Sequence, residues 1–243
     1  MSDSIQVTTK IGHPALGDPG TSRLDPVSLR TDVEEARDVL GLETIPLVYL
    51  HRDCESIPVD DLVAPLEELV AEGLIGGYGA SNWTASRLQE SRTVAGNRGW
   101  AGFAVNQPGW GLARRAPEAS SGGMVSMEEA MYAFHERSGL PVSPYSSQSR
   151  GYFSRWRNRS QDALVKEFDG ERNRSIARRL DELAPTVGIP ATELSVAVLL
   201  ASPFPTFPVI GTGSVHQLRS SFRAGVRLSP VEVMGVLGEH PAY

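Results

Sequence analysis

LEELVAEGLIGGYGASNW, residues 66–83, carries the logic of the fold in one stretch. It opens inside an amphipathic pattern over residues 59–71, where Leu62, Leu66, Leu69 and Val70 recur at helical spacing with acids on the other face. Gly73 supplies the helix stop. Residues 74–79 read as a strand, and polar Ser81 and Asn82 follow it at once. A helix that feeds a strand with a polar end is the repeating unit of a β/α barrel. There the carboxyl ends of parallel strands face one mouth and carry the site.

Four further patches have the same character: VTTK (7–10), LVYLHRD (47–53), FAVNQP (103–108) and PVSPYSSQSRG (141–151). Each closes an apolar run. Strands are expected over residues 5–9, 45–50, 74–79, 102–106, 140–145 and 207–210, the second too short for a helix and suited to burial on both faces. Helices are expected over 29–40 entered through Ser28, over 59–71, and over 84–95 capped by Thr84. A further one spans 126–138, where Ser126 and Glu129 form a capping-box pattern. Others cover 172–187, 191–201 opening with Pro190, 215–224, and 229–237 begun by a Ser-Pro pair. Six strand-then-helix units in alternation predict an α/β fold, a TIM-type barrel with about six of its eight βα units, as one domain over 1–243.

Composition sets limits. The chain has 243 residues, 40% of them apolar and 21% charged, which suits an ordinary globular domain able to bury a core. A net charge of −6 lacks the basic footprint of a non-specific nucleic-acid binder. No apolar run reaches the length of a membrane span, and MSDSIQ lacks a signal-peptide core, so a cytoplasmic protein is expected. The Asn-x-Ser/Thr triplets at Asn82, Asn158 and Asn173 then read as chance matches. Cys54 is the single cysteine and reads as inert, which removes disulfides and CxxC metal sites. His13 and His135 lack partners at ligand spacing, and no metal site is expected.

Taken in order, TTK, LVYLHRD, GASNW, VNQP, YSSQSRG and VIGTGS resemble the aldo-keto reductase family along nearly the whole chain. That resemblance implies a barrel across whose mouth NADPH lies extended and passes a hydride to a small-molecule carbonyl substrate. Lys10 and His51 match the family's catalytic Lys and His. Ser81, Asn82 and Gln107 match the side chains that hold the nicotinamide carboxamide, and Tyr145 the aromatic that stacks on its ring. Ser146, Ser147 and Arg150 lie where the pyrophosphate is held. Gly211, Thr212, Gly213 and Ser214 match the loop for the adenosine end, ahead of a helix N-terminus that favours anions. Gln217 fits a known variant of the adenosine pattern, whereas Ser221 stands where the family often has Asn and predicts a weaker adenine contact.

The family's catalytic Asp and Tyr lie upstream of the TTK patch, and only six residues precede Val7 here. Two βα units take roughly 60 residues. The expectation is therefore an N-terminally shortened barrel whose exposed edge calls for a homo-oligomer or a covering partner. Among Tyr49, Tyr78, Tyr132, Tyr145, Tyr152 and Tyr243 the sequence nominates no proton donor, and loss of that acid costs about 10²–10⁴-fold in rate. Two alternatives stand beside the reductase. One is a lyase, dehydratase or cyclase using Lys10 and His51 without hydride transfer, with Lys10 as a desolvated amine. The other is a non-catalytic barrel that binds nucleotide or a partner.

Several side chains keep two readings at this level. Trp83 and Trp110 either line a substrate pocket or cover the barrel mouth. Arg155, Arg157 and Arg159 with Trp156 form either a solvated basic loop or a flap over pyrophosphate. Arg219 and Arg223 read first as solvated, second as partners of a 2′-phosphate. Arg52 and Asp53 read as a local ion pair.

Overall fold

The computed structural model describes residues 5–14, 17, 22–116, 123–158 and 163–243. Of the expected features, Arg159 lies outside these. The chain gathers into two compact units, Met1–Gln107 and Pro108–Tyr243.

In the first unit β1 (Thr8–Ile11), β2 (Leu47–Leu50), β3 (Tyr78–Ser81) and β4 (Asn106–Gln107) form one sheet in the order 1-2-3-4. Every pairing is parallel. Neighbours in space are neighbours in sequence, as in a barrel; a doubly wound sheet would reverse its order at a switch point. Lys10 pairs with Tyr49 and Tyr49 with Gly79, so one sheet row runs across three strands. Val48, Leu50 and Ala80 are fully buried. This is the double burial expected of parallel strands.

The helices between them start and stop for identifiable reasons. Helix α1 (Pro26–Leu40) begins three residues before the expected 29, because Asp25 rather than Ser28 is the cap; its carboxylate accepts from the Ser28 N–H at 2.9 Å. Pro26 suits the first turn, and Gly41 ends the helix at φ 65°. Helix α2 (Val59–Ala71) has the expected bounds and buries Leu62, Leu66 and Leu69. Helix α3 (Ala85–Arg98) is capped by Thr84 as read, and runs on to Gly99. Strand β4 starts later than the expected 102, since Gly102 sits at φ 74° and turns the chain out of strand geometry.

The second unit departs further from expectation. The run over 140–145 forms no strand, only single parallel bridges, Tyr145 with Gly109 and Val142 with Thr206, and the run over 207–210 forms neither strand nor bridge. The reason is proline. Pro108, Pro141, Pro144, Pro205 and Pro208 have no N–H, so a ladder between these segments cannot be filled. The donors that remain do pair: Val142 with the Pro205 carbonyl (2.8 Å), Phe207 with Val142 (2.7 Å), Val209 with Pro144 (2.9 Å) and Tyr145 with Pro108 (3.1 Å).

The Ser126–Glu129 capping box is likewise absent. Ser126 bridges Gly109, and α4 (Glu129–Ser138) opens at Glu128 without a side-chain cap. The polar stretch after Tyr145 holds a short 3-10 turn (Ser149–Gly151), α5 (Tyr152–Arg155) and α6 (Ala163–Phe168). Tyr152, Phe153, Trp156 and Phe168 from this stretch pack with Ile176 and Leu180 of α7 (Glu171–Val187) and with Leu194 and Val198 of α8 (Ala191–Leu200). Then come α9 (Val215–Ser221), a 3-10 turn (Phe222–Gly225) and α10 (Pro230–Leu237), the last with a reciprocated Ser229–Glu232 capping box. Among the described residues no single helix is long and apolar enough to cross a membrane.

Candidate active site

The first unit assembles one half of the expected site at the carboxyl ends of its strands. Lys10 stands on β1, exposed, with its ammonium 6.0 Å from the centre of the Tyr49 ring. Partial desolvation lowers its pKa from the ordinary lysine value. His51 follows β2 directly and is half-buried. Its N–H donates to the Ile11 carbonyl at 2.9 Å, and its own carbonyl accepts from Asn82 Nδ2 at 3.1 Å. Desolvation, and then the positive charge of His13, Lys10 and Arg52, push its pKa down to about 4. At neutral pH the ring is therefore uncharged and keeps one N–H to offer.

Residues 81, 82 and 107 come together as expected. Ser81 Oγ donates to the Gln107 carbonyl at 2.9 Å, which ties the ends of β3 and β4. Asn82 adopts a left-handed conformation, φ 60°, and its Nδ2 also lies 3.3 Å from Ser81 Oγ. Gln107 is 4% exposed, yet its Oε1 has no hydrogen-bond partner. A buried amide oxygen left without a donor costs about 1–3 kcal/mol. A donor N–H placed at this oxygen would relieve that cost.

In the second unit the expected pyrophosphate and adenosine segments meet. Ser147 Oγ donates to the Val209 carbonyl at 2.6 Å, and Gln148 Nε2 donates to Ser221 Oγ at 3.1 Å. Ser147 thus commits its proton internally, and Ser221 is tied to Gln148 and, as donor, to the Gln217 carbonyl at 2.9 Å. The loop Gly211, Thr212, Gly213 and Ser214 is exposed. Ser214 caps α9, accepting from the Gln217 N–H at 3.2 Å, while Gln217 Oε1 accepts from the Gly213 N–H at 2.8 Å. Tyr145 lies over Gly109, where an added Cβ would come within 3.0 Å of the phenol oxygen. Arg150 is exposed, at φ 51°, and pairs with Glu167 at 3.1 Å.

Backbone strain marks the same places. Among the described residues the non-glycine positions with positive φ are Asn82, Ser146, Ser149 and Arg150. Each costs of order 1–3 kcal/mol, and such residues cluster at functional sites. Three of them were singled out from sequence as cofactor contacts.

Some side chains settle differently from their sequence reading. Asp53 pairs with Arg87 of α3; the two side chains are 8% and 11% exposed. Trp83 is fully buried against Phe103 and donates to the Arg52 carbonyl at 3.3 Å. Trp110 is buried as well, bonded to the Ala242 carbonyl at 2.8 Å. Both are packing residues. So is Trp156, whose indole N–H donates to Asp181 at 3.0 Å. His13, dismissed as a metal ligand, has its ring centre 4.6 Å from that of His51. No local pattern in the sequence signalled it, nor Gln148 and Glu167.

Comparison with known proteins extends this picture. The sequence model described as Aldo/keto reductase family matches residues 1–236. The chain is 26% identical over 215 residues to Norsolorinic acid reductase of Aspergillus flavus, covering 88% of this chain and 53% of that protein. It is 28% identical over 209 residues to Norsolorinic acid reductase stcV of Emericella nidulans, covering 85% and 51%. It is also 26% identical over 200 residues to Versiconal hemiacetal acetate reductase of Aspergillus parasiticus, covering 78% and 55%. The chain thus spans about half the length of these curated relatives.

Proposed function

The chain belongs to the aldo/keto reductase family, and on that premise we propose that it is an NADP(H)-dependent oxidoreductase acting on a carbonyl compound. Membership carries the fold class with it: α/β, of the TIM-barrel type. The family generally uses a nicotinamide dinucleotide. Relatives named as reductases of norsolorinic acid and of versiconal hemiacetal acetate support a small-molecule carbonyl substrate. The whole chain acts as one barrel domain in a cytoplasmic setting. Exposed Ile5 and Val7, leading into β1 at the sheet edge, support a second copy or a partner strand there.

The observation that carries the reading is the unpartnered, buried Oε1 of Gln107 beside Ser81 and Asn82. A carboxamide N–H is the donor that this oxygen lacks. The dinucleotide, when bound, supplies a hydride. Ser81, Asn82 and Gln107 fix the orientation of its carboxamide, and Tyr145 covers one face of the ring. Arg150 and the loop Gly211 to Ser214 receive the phosphates and adenosine. His51 offers its N–H to the carbonyl oxygen and polarises it. Lys10 keeps positive charge nearby as negative charge develops on that oxygen.

Titration with NADPH tests this, followed by nicotinamide fluorescence and tryptophan quenching. Saturable binding weakened about tenfold or more by Asn82→Ala and Gln107→Ala is expected. Absence of binding at millimolar dinucleotide defeats the reading. One observation favours a second reading: the lowered pKa of Lys10 raises the fraction of free amine available for imine chemistry. Borohydride trapping of a carbonyl compound on Lys10 would support it.

A further inference from the structure

His51 heads the loop 51–57, which follows β2 and has neither helix nor strand of its own to hold it. Two of its backbone N–H groups bond inside the loop, Cys54 to Asp53 Oδ1 at 2.8 Å and Ile57 to the Cys54 carbonyl at 2.9 Å. The rest of the restraint comes from neighbouring elements. The end of β1 contributes the Ile11 carbonyl, which accepts from the His51 N–H at 2.9 Å.

The end of β3 and the first turn of α3 supply the other donors. Asn82 Nδ2 donates to the His51 carbonyl at 3.1 Å, and the Trp83 indole N–H to the Arg52 carbonyl at 3.3 Å. Arg87 takes the next positions. Its Nε and Nη2 meet the two Asp53 carboxylate oxygens at 2.9 and 3.0 Å, and Nη2 also donates to the Ile57 carbonyl at 2.9 Å. Side chains from one neighbouring segment thus grip residues 51, 52, 53 and 57 in chain order. The guanidinium is itself seated, 5.4 Å over the ring of the fully buried Trp83.

An ion pair as enclosed as Arg87–Asp53 is weak evidence for stability, since desolvation offsets much of the attraction and apolar groups of similar volume often serve as well. What a guanidinium adds is direction: its rigid planar fork fixes a carboxylate and a carbonyl at set angles. We propose that Arg87 is a positioning residue of the site. By gripping Asp53 and Ile57 it fixes the loop after β2, and with Trp83 and Asn82 it aims the His51 ring. The inference rests on the carbonyl-reductase reading given above. Arg87 touches no reactant and acts through His51, where a displacement of about 1 Å costs on the order of 100-fold in rate. Asn82 belongs both to this clamp and to the proposed carboxamide set, so one residue ties the aim of His51 to the seat of the dinucleotide.

The test compares the full chain with Arg87→Lys, which keeps a cation opposite Asp53 but loses the fork, and with Trp83→Phe, which keeps a buried ring but loses the indole N–H. NMR without dinucleotide follows the His51 ring and amide, with the His135 ring of the second unit as an internal reference. In Arg87→Lys the His51 ring signals shift and broaden and its amide exchanges about tenfold faster or more, while His135 is unmoved. Trp83→Phe moves the same signals to a smaller extent. With saturating NADPH and benzaldehyde, Arg87→Lys lowers kcat by about 10–100-fold while NADPH affinity holds. In a His51→Gln background it costs no further rate, because Arg87 acts through that ring. Unaltered His51 signals and amide exchange in folded Arg87→Lys overturn the proposal. So do equal changes at His51 and His135, which mark a general loosening, and a rate loss that adds in full to that of His51→Gln. Failure of the parent chain to bind NADPH instead defeats the functional reading, and the His51 signals still decide the clamp.

Discussion

Tyr49 and Gly79 face each other in register on β2 and β3, and the Tyr49 ring fills the ground that a Cβ on Gly79 would need, with Cδ1 2.9 Å from it. The Val105 carbonyl oxygen lies 2.8 Å from the same point, and backbone cannot step aside as a side chain can. Gly79→Ala is expected to cost about 1–3 kcal/mol and to shift Tyr49 beneath Lys10. A lower urea midpoint with an unchanged slope checks it.

Arg87 holds the loop after β2 from below. It pairs with Asp53 through two bonds of 2.9 and 3.0 Å and donates to the Ile57 carbonyl at 2.9 Å. Removing one partner of so enclosed a pair strands the other charge. Arg87→Ala should therefore lose about 3–5 kcal/mol. The double variant with Asp53→Ala should recover part of that loss in a double-mutant cycle of unfolding free energies.

His135 makes the protein acid-labile. It is fully buried between Phe134 and Phe204, its Nδ1 is 2.8 Å from the Leu140 carbonyl oxygen, and burial pushes its pKa to about 4. An unfolded imidazole titrates near 6.5. Between the two values the unfolded chain holds more protons, so stability falls as pH falls, and the loss is complete below about pH 4. The size is about 3 kcal/mol. His51 shifts in the same direction, with a smaller effect because it is half-exposed. Urea unfolding of His135→Gln at neutral and acid pH should show a clearly smaller difference than the parent.

Glu167 competes for the arginine assigned to the phosphates. It accepts from Arg150 at 3.1 Å and from Arg115 at 2.9 Å. Glu167→Gln should tighten NADPH binding a few-fold and steepen its salt dependence, since Arg150 is freed for phosphate. Titration at two salt concentrations decides it; unchanged affinity at both would show that Arg150 does not meet the dinucleotide.

How far the sequence could be read depended on whether the signal was local. Helix α2 was legible to the residue because its apolar spacing and Gly73 agree, and Thr84 was found as a cap. Ser126 misled, since the same Ser-x-x-Glu pattern lost to backbone pairing with Gly109. The apolar runs 140–145 and 207–210 were correctly placed but misjudged as strands, because their prolines remove donors that apolar patterning does not register. Strand-end position and motif order singled out His51, Ser81, Asn82 and Gln107, which hydrogen bonds join at neighbouring strand ends. The approach of His13 to His51 depends on the left-handed turn at Gly12 and on contacts with α1, which no local pattern encodes.

Those same prolines bear on the chain before it folds. A proline fixes its own φ near the extended range and steers the preceding residue away from helix. With five of them at Pro108, Pro141, Pro144, Pro205 and Pro208, the segments that will lie side by side are already straightened in the unfolded ensemble. Each such residue spares about 0.4–1 kcal/mol of conformational entropy where its geometry fits. The second unit therefore trades hydrogen bonds it never forms for disorder it never has to lose.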